Sequence, residues 1–192
     1  MKKVLAVALL FAAFSPTPSV ATGEIESLIT QADRARLDKF DAARSEAMAE
    51  ARKEGAPQDI QVLDEIDARP GVPFSGFDMT GDWQCRTIKA GGPAPLVVYG
   101  WFRCRVTDDG SGWRLEKLSG SQRTTGRLFD ETEGSLTYLG VLHIAGDQPR
   151  AYGADAASDQ VGRAFRSGDD RWRIEFPLPH YESKFDILEF RR

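Results

Sequence analysis

Arginine is the residue type in this sequence whose number and spacing could do chemistry. Five arginines lie in the short stretch between Trp101 and Phe129, in a chain whose net charge is −4. The planar guanidinium group donates paired hydrogen bonds to phosphate and carboxylate oxygens, so several arginines on one surface suit an anionic ligand. Whether these side chains share a surface depends on the strands that carry them.

Other residues that could do chemistry are sparse. His143 and His180 are the only histidines. With Glu182 or Asp186 they could form a metal site, but their spacing matches no metal motif. The sequence also contains no P-loop, dinucleotide fingerprint or Gly-x-Ser-x-Gly turn, and it predicts no metal ion and no cofactor. A Ser–His–Asp arrangement assembled in space stays open. The polar stretch over residues 179–184 is typical of a loop before the last strand, and it could rim a pocket.

Two turn signals set the register of the strands that carry the arginines. Asp109-Gly110 predicts a two-residue type I′ hairpin, and Gly120-Ser121 predicts a type II′ hairpin. The first turn places Val106 opposite Trp113, Cys104 opposite Leu115 and Arg103 opposite Glu116. The second turn places Leu115 opposite Gly126 and Trp113 opposite Leu128. Pairing Cys85 with Cys104 sets the preceding strand, with Trp83 opposite Val106 and Thr87 opposite Phe102.

These inferences agree on which side chains share one side of a β meander. A slip of one residue would turn the whole set toward water, so we predict that this side faces the core. The set comprises Trp83, Cys85, Phe102, Cys104, Val106, Trp113, Leu115 and Leu128.

The opposite side of the meander carries six arginines and a single carboxylate, that of Glu116. The arginines are Arg86, Arg103, Arg105, Arg114, Arg123 and Arg127. The predicted register sets Arg105 opposite Arg114, a like-charge pair that weakens strand pairing. One hypothesis is an anionic partner, such as a phosphate, a carboxylate-bearing glycan or an acidic polymer. The other, which we favour, is that the helical segment covers the arginines, since it has twelve acidic and seven basic residues over positions 24–69.

The chain divides into a leader over residues 1–21, a helical segment over residues 22–69 and a β domain over residues 70–192. In the helical segment, Thr30 with Asp33 resembles an N-terminal cap, Gly55 is a typical helix end, and Pro57 can start a second helix. The β domain alternates aromatic or branched residues with polar ones and predicts about eight antiparallel strands. That number suits a closed barrel or a strongly curved sheet, so the fold class is α+β.

Residues 1–21 have the pattern of an export signal. Lys2 and Lys3 precede an apolar run from Val4 to Phe14, which is too short to span a bilayer. Ser19-Val20-Ala21 then supplies a small-x-small cleavage site. We predict cleavage near Thr22 and a periplasmic or secreted protein with no transmembrane segment after cleavage.

Export has two consequences for the mature chain. Without Lys2 and Lys3 it has 23 basic and 29 acidic residues, a net charge of −6, which argues against general nucleic-acid binding. An oxidising compartment favours a disulfide between Cys85 and Cys104, the only two cysteines.

Several runs resemble a bacterial family of exported proteins catalogued as domain of unknown function 4893. They are Thr80–Lys89, Val97–Cys104, Gly120–Arg123, Asp159–Gly162 and Tyr181–Lys184. The resemblance covers nearly the whole mature chain. It implies export and a shared fold, and it implies no activity.

Gly81-Asp82-Trp83 is similar to the Gly-x-Trp of lipocalins. In that family the tryptophan closes one end of a barrel and stacks on an arginine near the last strand, a role that the resemblance gives to Arg191 or Arg192. A lipocalin carries its helix after the barrel, whereas here the helical segment comes first. The similarity therefore concerns architecture alone.

The sequence thus indicates an exported protein of unknown activity. We favour a non-catalytic module that binds a small ligand or an envelope component, because no nucleophile–base motif is present. The alternative is a hydrolase acting on an envelope substrate, which would need His143 or His180 within hydrogen-bond reach of a serine.

Overall fold

The computed structural model describes residues 25–192, so the predicted export signal lies outside the described residues. A helical stretch over residues 25–28 precedes three helices: α1 (Gln31–Leu37), α2 (Phe40–Glu54) and α3 (Pro57–Asp67). Nine strands follow: β1 (Gly81–Ala90), β2 (Leu96–Val98), β3 (Phe102–Asp108), β4 (Trp113–Lys117), β5 (Gln122–Thr132), β6 (Ser135–Ile144), β7 (Asp159–Arg166), β8 (Arg171–Pro177) and β9 (Phe185–Arg191).

The helix boundaries follow the expected capping residues, with one difference. The side chain of Thr30 caps α1 by accepting the backbone N–H of Asp33 at 3.2 Å. Gly55 ends α2, and Pro57 occupies the first position of α3. The sequence predicted one helix between Thr30 and Gly55, whereas the chain interrupts it at residues 38–39 and so forms α1 and α2.

The strands close into an antiparallel barrel. Each strand from β3 to β8 pairs with the strand that follows it, and β9 pairs with β1, which closes the barrel. β2 and β3 both lie along the other edge of β1, so together they occupy the place of one strand in an eight-stranded barrel. The predicted α+β class with a barrel is therefore confirmed, and the open curved sheet is excluded.

The predicted register is right for one hairpin and shifted by two residues in two strand pairs. Leu115 lies opposite Gly126 as expected. In the β3–β4 pair, however, Val106 lies opposite Leu115 and Cys104 opposite Lys117, because the loop has four residues rather than two. In the β1–β3 pair, Cys85 lies opposite Phe102 and Trp83 opposite Cys104. A shift of two residues preserves which side each residue faces, so the predicted core side is correct.

The barrel interior holds the main hydrophobic core. It contains Trp83, Cys85, Cys104, Val106, Leu115, Leu128, Tyr138, Trp172, Ile174 and Phe190, with Phe102 and Trp113 partly buried against them. Cys85 and Cys104 form the predicted disulfide, with their Cα atoms 5.9 Å apart. It joins diagonal neighbours instead of the directly opposite residues that the sequence suggested.

One end of the barrel is closed where β1 begins. The buried indole of Trp83 donates to the backbone carbonyl of Met79 at 2.8 Å, and the guanidinium of Arg192 stacks 4.0 Å above its ring. Arg192 therefore has the position that the lipocalin resemblance gave to Arg191 or Arg192. Arg191 stacks on Trp101 instead, at 3.9 Å.

The helices pack outside the barrel and build a second core against β1, β2, β7, β8 and β9. Arginines from this segment reach buried carboxylates of the sheet: Arg44 pairs with Glu175, and Arg69 with Glu189. The prediction that acidic helices cover the arginines of the meander is wrong, because the described helices have their main contacts away from β3, β4 and β5, which carry five of the six arginines.

Candidate ligand-binding site

The barrel interior changes from apolar to polar toward the end opposite Trp83. Interior positions on β1 run from Cys85 to Thr87 and Lys89, those on β4 from Leu115 to Lys117, and those on β9 from Phe190 and Leu188 to Asp186. Because interior residues alternate along each strand, these polar groups meet at one end of the barrel. We call this end the barrel mouth.

A cavity of about 70 Å³ opens at the barrel mouth. Its volume accommodates a few water molecules or a small organic ion. Its wall combines Thr87, Lys89, Lys117, Gln122, Thr124, Leu142, Gln160, Phe176, Asp186 and Leu188 with the rim residues Arg36, Arg123, Ser158, Pro179, His180 and Tyr181.

Lys117 is the most unusual residue in this cavity. It is 8% exposed, and its ammonium group lies 3.4 Å from Oγ1 of Thr87 and 4.4 Å from the ring centroid of Phe102. Among residues 25–192, no carboxylate lies within ion-pair distance of it. Burial, together with the nearby charges of Lys89 and Arg123, lowers the pKa of Lys117 to about 8, against the opposing effect of the more distant Asp186 carboxylate.

Lys89, by contrast, has carboxylate partners. Its ammonium group lies 2.9 Å from Glu182 and 3.7 Å from Asp186. Burial alone would lower the pKa of Lys89, but these two carboxylates outweigh it and raise that pKa. Asp186 also accepts a hydrogen bond from the hydroxyl of Ser183 at 2.5 Å. Burial raises the pKa of Asp186 to about 6, against the opposing effect of Lys89.

A chain of hydroxyl and amide groups forms the other wall of the cavity. The hydroxyl oxygens of Tyr138 and Thr124 lie 2.6 Å apart, and Thr124 donates to Oε1 of Gln160 at 2.5 Å. The Tyr138 ring lies so close to Gly126 and Gly140 that a Cβ at either glycine would overlap it. The two glycines therefore allow a large tyrosine to place its hydroxyl near the barrel mouth.

The loop over residues 178–184 rims the cavity, as the sequence allowed. Leu178 and Glu182 have φ angles of 49° and 68°, and they are the non-glycine residues with positive φ among residues 25–192. Such conformations cost of order 1 kcal/mol each, so surrounding contacts must hold them. The pairing of Glu182 with Lys89 is one such contact.

The six arginines predicted as ligand-binding residues do not form one site. Arg123 lies at the rim of the cavity and donates to the carbonyl of Gly120 at 3.1 Å. Arg86 pairs with buried Glu189 and stacks on Trp101. The rest lie on the outer surface, where Arg103 is exposed and the pairs are Arg105 with Asp82, Arg114 with Glu116 and Arg127 with Asp109.

The observed register reduces the repulsion between arginines that the predicted register implied for the outer side of the meander. Arg105 lies opposite Asp82 on one strand and Glu116 on the other, instead of opposite Arg114. Arg114 and Arg127 do lie opposite each other, as predicted. Each has a carboxylate partner, so much of the charge is balanced locally.

The histidines occupy separate places. His180 lies at the rim of the cavity, whereas His143 lies on β6 opposite Arg123 of β5. Among residues 25–192, no hydrogen bond joins either histidine to a serine. Within the same part of the chain, no group of three or more His, Cys, Asp or Glu residues is arranged to hold a metal ion.

The sequence did not predict Lys89, Lys117 and Thr124 as site residues, and it offered Asp186 only as a possible metal ligand with the histidines. A signal was present: each lies two or four positions along its strand from a core residue, namely Cys85, Leu115, Leu128 or Leu188, so the alternation that predicted the core also puts them inside the barrel. Only closure of the barrel brings the polar ends of these strands together.

The comparisons with known proteins identify a family. A family model described as a domain of unknown function, DUF4893, matches residues 26–190. The chain belongs to this family. No curated protein and no solved structure shows a significant match. The DUF4893 match spans the helices and nearly the whole barrel, so both belong to the family's domain. Within the described part of this DUF4893 protein, residues 25–192, no helix is long and apolar enough to cross a membrane.

Proposed function

We propose that this protein is an exported, non-catalytic binding module that holds a small organic anion at the barrel mouth. The observation that carries the proposal is Lys117, a buried ammonium group on the cavity wall with no carboxylate partner among residues 25–192. A buried charge is costly unless a partner compensates it. A bound anion would supply that partner.

The charges around the cavity favour an anion over a cation. Glu182 and Asp186 already engage Lys89, and the carboxylate of Asp159, which also lines the cavity, accepts the backbone N–H of Gly153 at 2.9 Å. This leaves Lys117 and the rim guanidinium of Arg123 to face a ligand. Thr87 and Thr124 offer hydroxyl groups beside them. A cavity of about 70 Å³ selects a short carboxylate of a few heavy atoms.

Calorimetric titration with glycolate tests this function. We expect the mature wild-type chain to bind glycolate and Lys117→Met to lose binding by more than about tenfold, because a charge-assisted contact contributes about 1.5–3 kcal/mol. Lys53→Met is the matched control, since Lys53 lies on α2 with 78% of its side chain exposed. Equal glycolate affinity in wild type and Lys117→Met would refute the proposal.

Export is proposed from the leader pattern of residues 1–21, and the Cys85–Cys104 disulfide is consistent with an oxidising compartment. Mass spectrometry of the protein recovered from its native host is expected to show an N-terminus near Thr22 in the periplasmic or secreted fraction. Intact Met1 in the cytoplasmic fraction would contradict export.

A second candidate function is binding of an anionic envelope polymer on the outer surface. Arg114, Arg127 and Arg150 line one groove of about 500 Å³ with apolar side chains such as Leu139 and Val141. Retention on heparin tests it, with the double variant Arg114→Gln, Arg127→Gln compared with wild type. Salt-sensitive retention that this variant loses supports the candidate, and equal retention excludes the groove.

A further inference from the structure

We propose that Lys117 captures a small carbonyl compound, an aldehyde or a short 2-oxo acid, as a covalent imine at the barrel mouth. This inference rests on the proposed function and gives the ligand a chemical class. It requires an amine nucleophile, a cavity that admits the carbonyl group and a proton donor for the hydroxyl that leaves.

The surroundings of Lys117 suit an amine nucleophile. Desolvation and a neighbouring cation are the two means by which proteins activate lysines toward carbonyl groups. Lys117 has both, since it is buried beside Lys89 and Arg123. With a pKa of about 8, roughly a tenth of Lys117 amines are neutral at pH 7.

Other lysines near the barrel mouth lack this character. Lys89 is held by Glu182 and Asp186, which raise its pKa. Lys184 lies 2.7 Å from Glu46 and 2.8 Å from Glu50, and hydrogen bonds to these carboxylates raise its pKa. Lys89 and Lys184 therefore stay protonated at a pH at which Lys117 is partly neutral.

The reaction balances without an oxidant or reductant. The lone pair of the neutral Lys117 amine attacks the carbonyl carbon, and one proton passes from that nitrogen to the carbonyl oxygen, which gives a neutral carbinolamine. The hydroxyl group then takes a second proton, the C–O bond breaks and water leaves, while the nitrogen lone pair forms the C=N bond of a protonated imine. Asp186, on the same cavity wall with its pKa raised to about 6, is the group assigned to donate the proton to the leaving hydroxyl.

Reductive trapping with glyoxylate tests the inference. The mature chain is incubated with glyoxylate and cyanoborohydride, which reduces any imine to a stable amine, and the modified lysines are located by peptide mass mapping. We expect labelling of Lys117 to exceed that of exposed Lys53 by more than about tenfold, because an ordinary lysine is far more protonated. Labelling spread over exposed lysines, or none at all, would overturn the inference.

Measuring glycolate binding and the glyoxylate label on the same proteins separates failure of the imine from failure of the proposed function. Lys117→Arg removes the nucleophilic amine, so we expect it to lose the glyoxylate label. Lys117→Met should lose both, and Lys53→Arg should lose neither. Lys117-dependent glycolate binding without a glyoxylate label would refute the imine alone, whereas loss of both in wild type would refute the binding function as well.

Discussion

Lys117 combines burial, positive charge and the absence of a carboxylate partner among residues 25–192. A lysine in this position destabilises the folded state, because its ammonium group gives up water without gaining an ion pair. Thr87 and the ring of Phe102 offset part of that loss. Residues that cost stability in this way are typical of functional sites.

The first prediction concerns the stability of Lys117→Met. At neutral pH we expect the variant to be more stable than wild type by about 1–3 kcal/mol, since it removes the cost of holding a buried ammonium group whose pKa is lowered to about 8. The difference should shrink from about pH 8 upward, where folded wild type loses the proton that its unfolded chain still holds. Urea unfolding measures it, and a less stable variant would contradict the account.

Asp186 gives a prediction with a different pH window. Its pKa is 3.8 ordinarily and about 6 in the folded protein, so between these values the folded state binds more protons than the unfolded state. Stability due to Asp186 therefore falls as pH rises through this window.

Asp186→Asn mimics the protonated form and should remove this effect. We expect wild type to lose about 2 kcal/mol relative to the variant between about pH 4 and about pH 7. Denaturant unfolding at both pH values provides the comparison. A relative gain by wild type over that range would mean that Asp186 is stabilised as a carboxylate.

At the scale of elements, side chains buried between helices and sheet fix the position of the helical segment. Glu175 and Glu189 are each 1% exposed on the outer side of β8 and β9. Arg44 and Arg173 reach Glu175, while Arg69 and Arg86 reach Glu189. Each buried carboxylate thus has one arginine from the helical segment and at least one from the sheet, because Arg171 also lies 4.0 Å from Glu189.

This arrangement predicts a large effect for Arg44→Met and a small one for Arg52→Met. Losing Arg44 leaves buried Glu175 with Arg173 alone, at a cost of about 2 kcal/mol, below the roughly 3–5 that a fully unpaired buried charge costs. Arg52 is 40% exposed and pairs with Asp64 and Asp67, so its loss should cost about 0–1 kcal/mol. Equal free energies of unfolding for the two variants would contradict the predicted role of Arg44.

The same elements show what sequence can and cannot predict. Alternation identified the core side of the meander, because an error of one residue would turn that side toward water. Turn signals were less reliable: Asp109-Gly110 indicated a two-residue loop, but Asp108 pairs with Trp113 across four residues. The site was missed for another reason, since Lys117 and Asp186 are far apart in sequence and meet only where β9 closes onto β1.

At the scale of the whole molecule, the barrel has one closed apolar end and one polar end. Trp83 and Arg192 cover the closed end, and the disulfide lies between it and the cavity, joining β1 to β3. The barrel therefore has a rigid base beneath a site whose rim is the loop over residues 178–184.

The disulfide gives the prediction that belongs to this scale. Closing a loop of sequence separation 19 should stabilise the mature chain by about 3 kcal/mol in the chain-entropy model. We expect thiol reductant to lower the melting temperature of wild type and to leave that of the Cys85→Ala, Cys104→Ala variant unchanged. Titration of two free thiols in unreduced exported protein would disprove the bond.

The central claim is that an anion binds at the barrel mouth to Lys117, a buried cation without an ion-pair partner in the described part of the chain. It is tested most directly by following the lysine ε-carbon resonances through a pH titration, with Lys117→Arg used to assign the Lys117 signal. We predict a Lys117 pKa of about 8 that rises when glycolate is added, because a bound carboxylate favours the charged form. A pKa near the ordinary lysine value of 10.5, unchanged by glycolate, would contradict the account.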